Sequence, residues 1–204
     1  MSWDYIPGKN AEGYPDPTAA TALKNVQRSQ QGLQSRREGG EFEKIIADSL
    51  LWYELRGMAC VEKTPEPMKP LSKPNQRGQF LACYVKAGQP DFKGTITGGR
   101  SVVFEAKHTA SDKIDYSRLT DEQVEKLSTH HALGAACFVL VSFGLQDFYR
   151  IPWSVWANMA ELFGHKHMKK HECEPYRVQY ISGVLTLLEG IELRYNDKKE
   201  QSHE

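Results

Sequence analysis

Residues 89–109, QPDFKGTITGGRSVVFEAKHT, set two carboxylates, Asp91 and Glu105, and the amine of Lys107 at spacings suited to hydrolysis at phosphorus. Successive side chains of a strand alternate between faces, so Glu105 and Lys107 share one face while Phe104 and Ala106 take the other. Asp91 precedes Glu105 by fourteen residues. The Gly98-Gly99 pair between two β-prone runs predicts a hairpin over Asp91 to Lys107 whose closure sets Asp91 beside Glu105. A phosphodiester repels an attacking hydroxide, and its pentavalent transition state gathers further negative charge. A hard divalent cation held by carboxylate oxygens neutralises the phosphate and lowers the pKa of a bound water. A lysine adds fixed positive charge that can orient the water and stabilise the developing anion. Oxygen ligands point to Mg²⁺, with Mn²⁺ as a substitute, rather than to zinc.

PD and ExK are short, frequent strings, and Glu105 and Lys107 could equally be an exposed cross-strand pair worth under about 1 kcal/mol. Their setting argues for a task, since they continue the apolar run VVF, where ionisable side chains are costly.

Elements must exist to position these groups. Phe42, Ile45, Ile46, Leu50 and Tyr53 recur at helical spacing, which predicts an amphipathic helix ended by Gly57 and packed on a sheet. Met58 to Lys63 predicts a short strand and Phe80 to Lys86 another. Pro65, Pro67, Pro70 and Pro74 lie between them and forbid a helix or central strand, so that stretch should project as an extended arm. Thr120 and Gln123 have the spacing of a capping box, predicting a helix that runs to Gly134. Ala135 to Phe143 reads as a buried central strand, Tyr149 to Pro152 as a shorter strand, and Trp153 to Phe163 as one helix closed by Gly164. This order predicts an α/β fold, a mixed central sheet flanked by helices.

The 204 residues suit one domain with additions. Residues 1–39, rich in Gly, Pro, Gln, Ser and Asn, read as a flexible N-terminal arm. The nuclease-like domain then spans 40–190, with the arm insertion at 64–88 and a tail at 191–204. No apolar run approaches the roughly 20 residues of a membrane helix, and the first residues lack a signal-peptide order, which predicts a cytoplasmic protein. Cys60, Cys83, Cys137 and Cys173 are scattered without a CxxC pair, which fits a reducing compartment.

With 26 basic and 26 acidic residues the formal net charge is zero, so a nucleic-acid surface can arise only by segregation. From Lys63 to Lys86 the chain carries Lys63, Lys69, Lys73, Arg77 and Lys86 against Glu66, a candidate DNA-binding patch. Lys24, Arg28, Arg36 and Arg37 against Glu38 make a smaller surplus upstream, either a solvated tail or a further DNA contact. His165, His167, His171 and Cys173 cluster in GHKHMKKHEC, but no spacing there matches an established zinc module, and a polar loop is the plainer reading. Phe80 and Tyr84 share one side of their predicted strand, where they could stack on unpaired bases or, more simply, pack in a sheet.

Asp91, Glu105 and Lys107, with Pro90, match the PD-(D/E)xK nuclease signature. More narrowly, PDFKG, GGRSVVFEAKHT, Gln123, and AACFVLVSF followed by FYRIP resemble the RecU Holliday-junction resolvases in order and spacing over about residues 38–156. The proline- and lysine-rich insertion resembles the stalk that enters the junction centre in that family. The resemblance implies a restriction-endonuclease-like fold and a homodimer that nicks two opposed strands of four-way junction DNA with Mg²⁺, in recombination and repair. It implies Asp91 and Glu105 as metal ligands and Lys107 as the lysine that positions the attacking water. Glu43 corresponds to the helical acid that completes the metal site, or is an ordinary solvated glutamate. Gln123 corresponds to the family's glutamine, or is a local helix cap. The segment before Gly39 does not match, and nothing beyond Trp156 is recognised, as in a diverged, phage-type member acting in a bacterial cell or phage-infected host. Other expectations are a repair or restriction nuclease of the same superfamily with another DNA substrate, and a non-catalytic junction-binding protein.

Overall fold

The computed structural model of the chain describes residues 17–65, 67–84 and 89–191. Residues 1–16, Glu66, Lys86 and the tail from 192 lie outside the described residues.

The predicted apolar stripe is the inner face of α1, Pro17–Glu54, on which Phe42, Ile46, Leu50 and Tyr53 are all buried. The helix begins far earlier than the stripe, with proline at its first position, where no N–H is needed. Residues 17–39, expected as a flexible arm, are thus helical. Side chains such as Val26 and Leu33 on this half are exposed, so no apolar period could announce it.

After β1, Ala59–Lys63, come β2, Met68–Pro70, and β3, Ala82–Tyr84. The hairpin of β4, Phe92–Ile96, and β5, Ser101–Thr109, follows, its turn carrying Gly98 and Gly99 at φ 88° and 82°. Positive φ of this size favours glycine. Next are β6, Lys113–Asp115, helix α2, Asp121–Ala132, and strands β7, Ala136–Phe143, and β8, Asp147–Pro152. Two short helices follow, α3, Trp153–Ala157, and α4, Met159–Phe163, then β9, His167–Lys169, and β10, Arg177–Val178. The single helix expected over Trp153 to Phe163 is broken at Asn158, whose side chain donates to the Ser154 carbonyl at 2.8 Å and competes with the helical ladder.

The central sheet has the order β1-β4-β5-β7-β8-β10. Only β5 and β7 run parallel, with α2 as the crossover, so the sheet is mixed and flanked by helices as the sequence predicts. One face packs Phe92, Phe104, Phe138 and Phe148 under α1, and the first three rings stack at centroid spacings of 4.7 and 4.6 Å. The other face packs Val103, Val139, Val141 and Ile151 against Leu127 of α2 and Trp153 and Trp156 of α3. Every residue of β7 is buried, as a strand covered on both faces requires.

The proline-rich insertion forms a separate two-stranded ribbon, with Met68 opposite Tyr84 and Pro70 opposite Ala82. Asn75 shapes its tip: its Oδ1 accepts from the backbone N–H groups of Arg77 and Gln79 at 2.9 and 3.0 Å. Phe80 and Tyr84 are 51% and 70% exposed, so the expectation that they pack in a sheet fails: among the described residues no second layer covers them. The arm leaves and re-enters the sheet on one rung, where Lys63 pairs with Phe92 and the Thr64 N–H donates to the Asp91 carbonyl at 2.8 Å.

Candidate active site

Alternation along β5 decides which groups meet. Val102, Phe104 and Ala106 pack toward α1, and Val103, Glu105 and Lys107 turn toward the layer of α2. Asp91 stands one residue before β4, where the hairpin register brings it level with Glu105 and Ala106. Its Oδ2 accepts from the Ala106 N–H at 3.0 Å, and its own N–H donates to Glu105 Oε1 at 3.3 Å. Lys107 Nζ lies 2.9 Å from Glu105 Oε2 and 3.6 Å from Asp91 Oδ2, so one ammonium bridges both carboxylates. Gln123 Nε2, from α2, donates to Glu105 Oε2 at 2.6 Å.

The Glu105 side chain is wholly buried, that of Lys107 is 15% exposed and that of Asp91 30%. Burial pushes the Glu105 carboxyl up to about 8; the charge of Asp91 adds to the rise and the ammonium of Lys107 opposes it. Once both acids are ionised, two carboxylates against one ammonium leave the cluster short of positive charge on an oxygen-only donor set. That donor set suits a hard divalent cation.

The other predicted residues stand differently. Glu43, on α1, lines a cavity of about 260 Å³ together with Lys107, but its carboxylate accepts from Lys63 at 2.6 Å. Among the described residues no group of three or more His, Cys, Asp or Glu is arranged to hold a metal. Lys69, Lys73 and Arg77 are exposed on the arm, and Arg36 and Arg37 on the outer half of α1. Lys63, expected to face DNA, is engaged by Glu43, while Lys86 is outside the described residues. The histidine cluster assembles no zinc group among the described residues: His165 bonds the His167 carbonyl and faces Glu172, the two rings stack at 3.9 Å, and Cys173 is fully buried, its thiol pushed up to about 12 by desolvation.

Two residues, His108 and Arg118, were not singled out from the sequence. His108 Nε2 meets Glu38 Oε2 at 2.9 Å and its Nδ1 meets Ser142 Oγ at 3.3 Å, tying the outer half of α1 to the end of β5. Arg118, which shares the cavity with Lys107, donates to the His108 carbonyl at 3.0 Å. The available signal was alternation itself, which puts His108 on the side of α1 once Lys107 faces the other way.

Residues 37–193 match the sequence model of the family described as RecU, Recombination protein U, well over half of the chain. The chain belongs to the RecU family. The match runs past Trp156, so the segment carrying α4 to β10, unrecognised from sequence, is part of the family's common length. Among RecU relatives, the "Holliday junction resolvase RecU" of Streptococcus gordonii is 27% identical over 143 residues, covering 67% of this chain and 71% of its own. The protein of the same name from Streptococcus sanguinis is 28% identical over 145 residues, 68% of this chain and 72% of its own. That from Ligilactobacillus salivarius is 26% identical over 168 residues, covering 76% and 78%. Among solved structures, Hjc, a Holliday junction resolvase from Archaeoglobus fulgidus, aligns over 68% of this chain and 93% of its own at TM-score 0.43 and 16% identity. No helix among the described residues is long and apolar enough to cross a membrane.

Proposed function

We propose that this RecU-family chain is a Holliday-junction endonuclease that hydrolyses phosphodiesters with Mg²⁺ or Mn²⁺ and acts as a homodimer making paired nicks. The observation that carries the reading is the convergence of Asp91 and Glu105 on one lysine, with Glu105 buried at no exposure and held by Gln123. A buried carboxylate beside a second carboxylate is costly in a structural role, and the pair makes sense as a cation site.

Asp91 and Glu105 would hold the ion, with Glu43 able to join them only after leaving Lys63; the ion supplies charge neutralisation at phosphate and an acidified water. The chain's own groups do the rest. The Ala106 N–H fixes Asp91, and Gln123 fixes Glu105, so neither carboxylate needs to reorganise when charge arrives. Lys107, held between two acids, presents positive charge where a phosphate oxygen would lie. The exposed arm, with Lys69, Lys73 and Arg77, supplies phosphate contacts that carry no sequence information, so selectivity rests on branched shape. One site per subunit on a two-fold assembly suits a substrate that needs two symmetric cuts.

The test compares labelled four-way junction, replication fork and linear duplex with the purified protein in Mg²⁺. Paired nicks on the junction are expected. Preferential cutting of fork or duplex favours a repair or restriction nuclease instead, and junction binding without cleavage in either metal favours the non-catalytic reading.

A further inference from the structure

Gln123 occupies two roles that sequence alone leaves as alternatives. As the third residue of α2 its Oε1 accepts from the Thr120 N–H at 3.1 Å, while its own N–H donates to Thr120 Oγ1 at 3.3 Å, a complete capping box. At the same time its Nε2 reaches Glu105 at 2.6 Å. A carboxamide has one acceptor end and one donor end. Flipping it would turn its NH₂ toward the Thr120 N–H, donor against donor, whatever the charge of Glu105, and would set its oxygen against the oxygens of the ionised Glu105 carboxylate, acceptor against acceptor. The two ends are therefore not independent.

We propose that the backbone N–H of Thr120 is a positioning element of the active site: by holding Gln123 Oε1 it commits the Gln123 NH₂ to Glu105. The cap of α2 thereby aligns one of the carboxylates that the previous section assigns to the metal, and the inference rests on that assignment. Its chemical purpose follows from Lys107, which bonds the same Oε2. When Lys107 turns toward substrate, Gln123 is the neutral donor that remains on that oxygen, so Glu105 keeps its place while its ionic partner moves. Groups that orient a metal-binding carboxylate typically contribute about 10–100-fold in affinity or activity.

Because the donor belongs to the main chain, one substitution isolates it. Thr120 sits at φ −75° and ψ 160°, and Leu119 before it is extended at φ −96° and ψ 138°, so the backbone accepts proline at 120 without change. Thr120→Pro removes the N–H and the hydroxyl; Thr120→Ala removes the hydroxyl alone and sets the reference. Gln123→Glu keeps a capping-box partner for Thr120 but offers Glu105 an oxygen in place of NH₂.

Single-turnover cleavage of saturating four-way junction, titrated with Mg²⁺, is the assay. Thr120→Pro should cleave about 10–100-fold more slowly than Thr120→Ala and need more Mg²⁺ for half its rate, and Gln123→Glu should fall similarly below wild type although α2 stays capped. Equal rates and Mg²⁺ dependence for the proline and alanine variants, or wild-type cleavage by Gln123→Glu, overturn the proposal. A proline variant that fails to fold leaves Gln123→Glu to decide. Without metal or DNA, the side-chain NH₂ resonances of Gln123 should show a fixed, slowly exchanging amide in wild type and in Thr120→Ala; free-amide behaviour in wild type overturns the proposal as well. These resonances also separate the failures, since a fixed amide combined with normal cleavage by Asp91→Asn means that the cap holds Glu105 but the metal assignment is wrong.

Discussion

Glu105→Gln should make the metal-free protein lose the pH dependence that its buried carboxyl imposes. The folded-state value of about 8 lies above the ordinary 4.5, chiefly because the side chain is wholly out of water. Between those two pH values the folded chain holds a proton that the unfolded chain has released. Stability is therefore highest below about 4.5 as far as this group is concerned, declines as pH rises through the window, and levels off above 8. At about 1.4 kcal/mol per pH unit the full decline is on the order of 4–5 kcal/mol, and burial leaves little solvent screening to discount it. The glutamine variant has no such proton, yet its amide oxygen can still accept from Gln123 and Lys107. Urea unfolding of both proteins in chelator at pH 5, 6, 7 and 8 checks this. The stability of Glu105→Gln relative to wild type should increase by at least about 2 kcal/mol from pH 5 to pH 8. Mg²⁺ should stabilise wild type more at pH 8 than at pH 6, because the ion needs the deprotonated carboxylate. Parallel pH curves for the two proteins would refute the reasoning, since no elevated carboxyl could then sit at position 105.

The remaining predictions concern cleavage, the arm and assembly. Asp91→Asn should abolish junction cleavage in Mg²⁺ while gel-shift affinity for the junction stays near wild type, and Lys107→Ala should lower single-turnover rate severely with the same retained binding. Neutralising Lys69, Lys73 and Arg77 together should reduce the slope of log affinity against log salt by about 2–3, as measured by fluorescence anisotropy on four-way junction. Replacing residues 66–79 by a short Gly-Ser linker should remove the preference for junction over duplex in competition at fixed salt. Sedimentation equilibrium should give twice the 23.2 kDa chain mass for the free protein, and the same protein mass plus that of the junction when DNA is bound; one chain in both conditions would count against paired nicking by a preformed dimer.

What was legible in the sequence was whatever has a period or a turn chemistry. The stripe from Phe42 to Tyr53, the Gly98-Gly99 turn, the Thr120–Gln123 box and the buried run of β7 each announced an element, because burial on one face or positive φ restricts residue choice. Alternation along β5 also set Glu105 with Lys107, and the hairpin brought Asp91 to them. The outer half of α1 was hidden because it buries little, so nothing periodic marks it. The break at Asn158 was hidden because a side-chain bond to a carbonyl one turn back leaves no pattern. Phe80 and Tyr84 misled for a related reason: alternation predicts a strand, but not whether a second layer covers it. The pairing of Glu43 with Lys63, twenty residues apart, was out of reach because register between helix and sheet is a tertiary property.

The arm is rooted at a rung where its two ends are already joined, Lys63 opposite Phe92 and Thr64 bonded to Asp91. A segment whose ends are clamped together can lengthen, shorten or be exchanged without stretching the framework beneath it, much as insertions at a closed loop cost little. Asp91 therefore stays in place whatever the arm becomes. Under the proposed function, the branched DNA that is accepted can then change with the arm alone while Asp91 and Glu105 stay where they are, and an arm transplanted from one relative to another should carry substrate preference with it as a detachable trait.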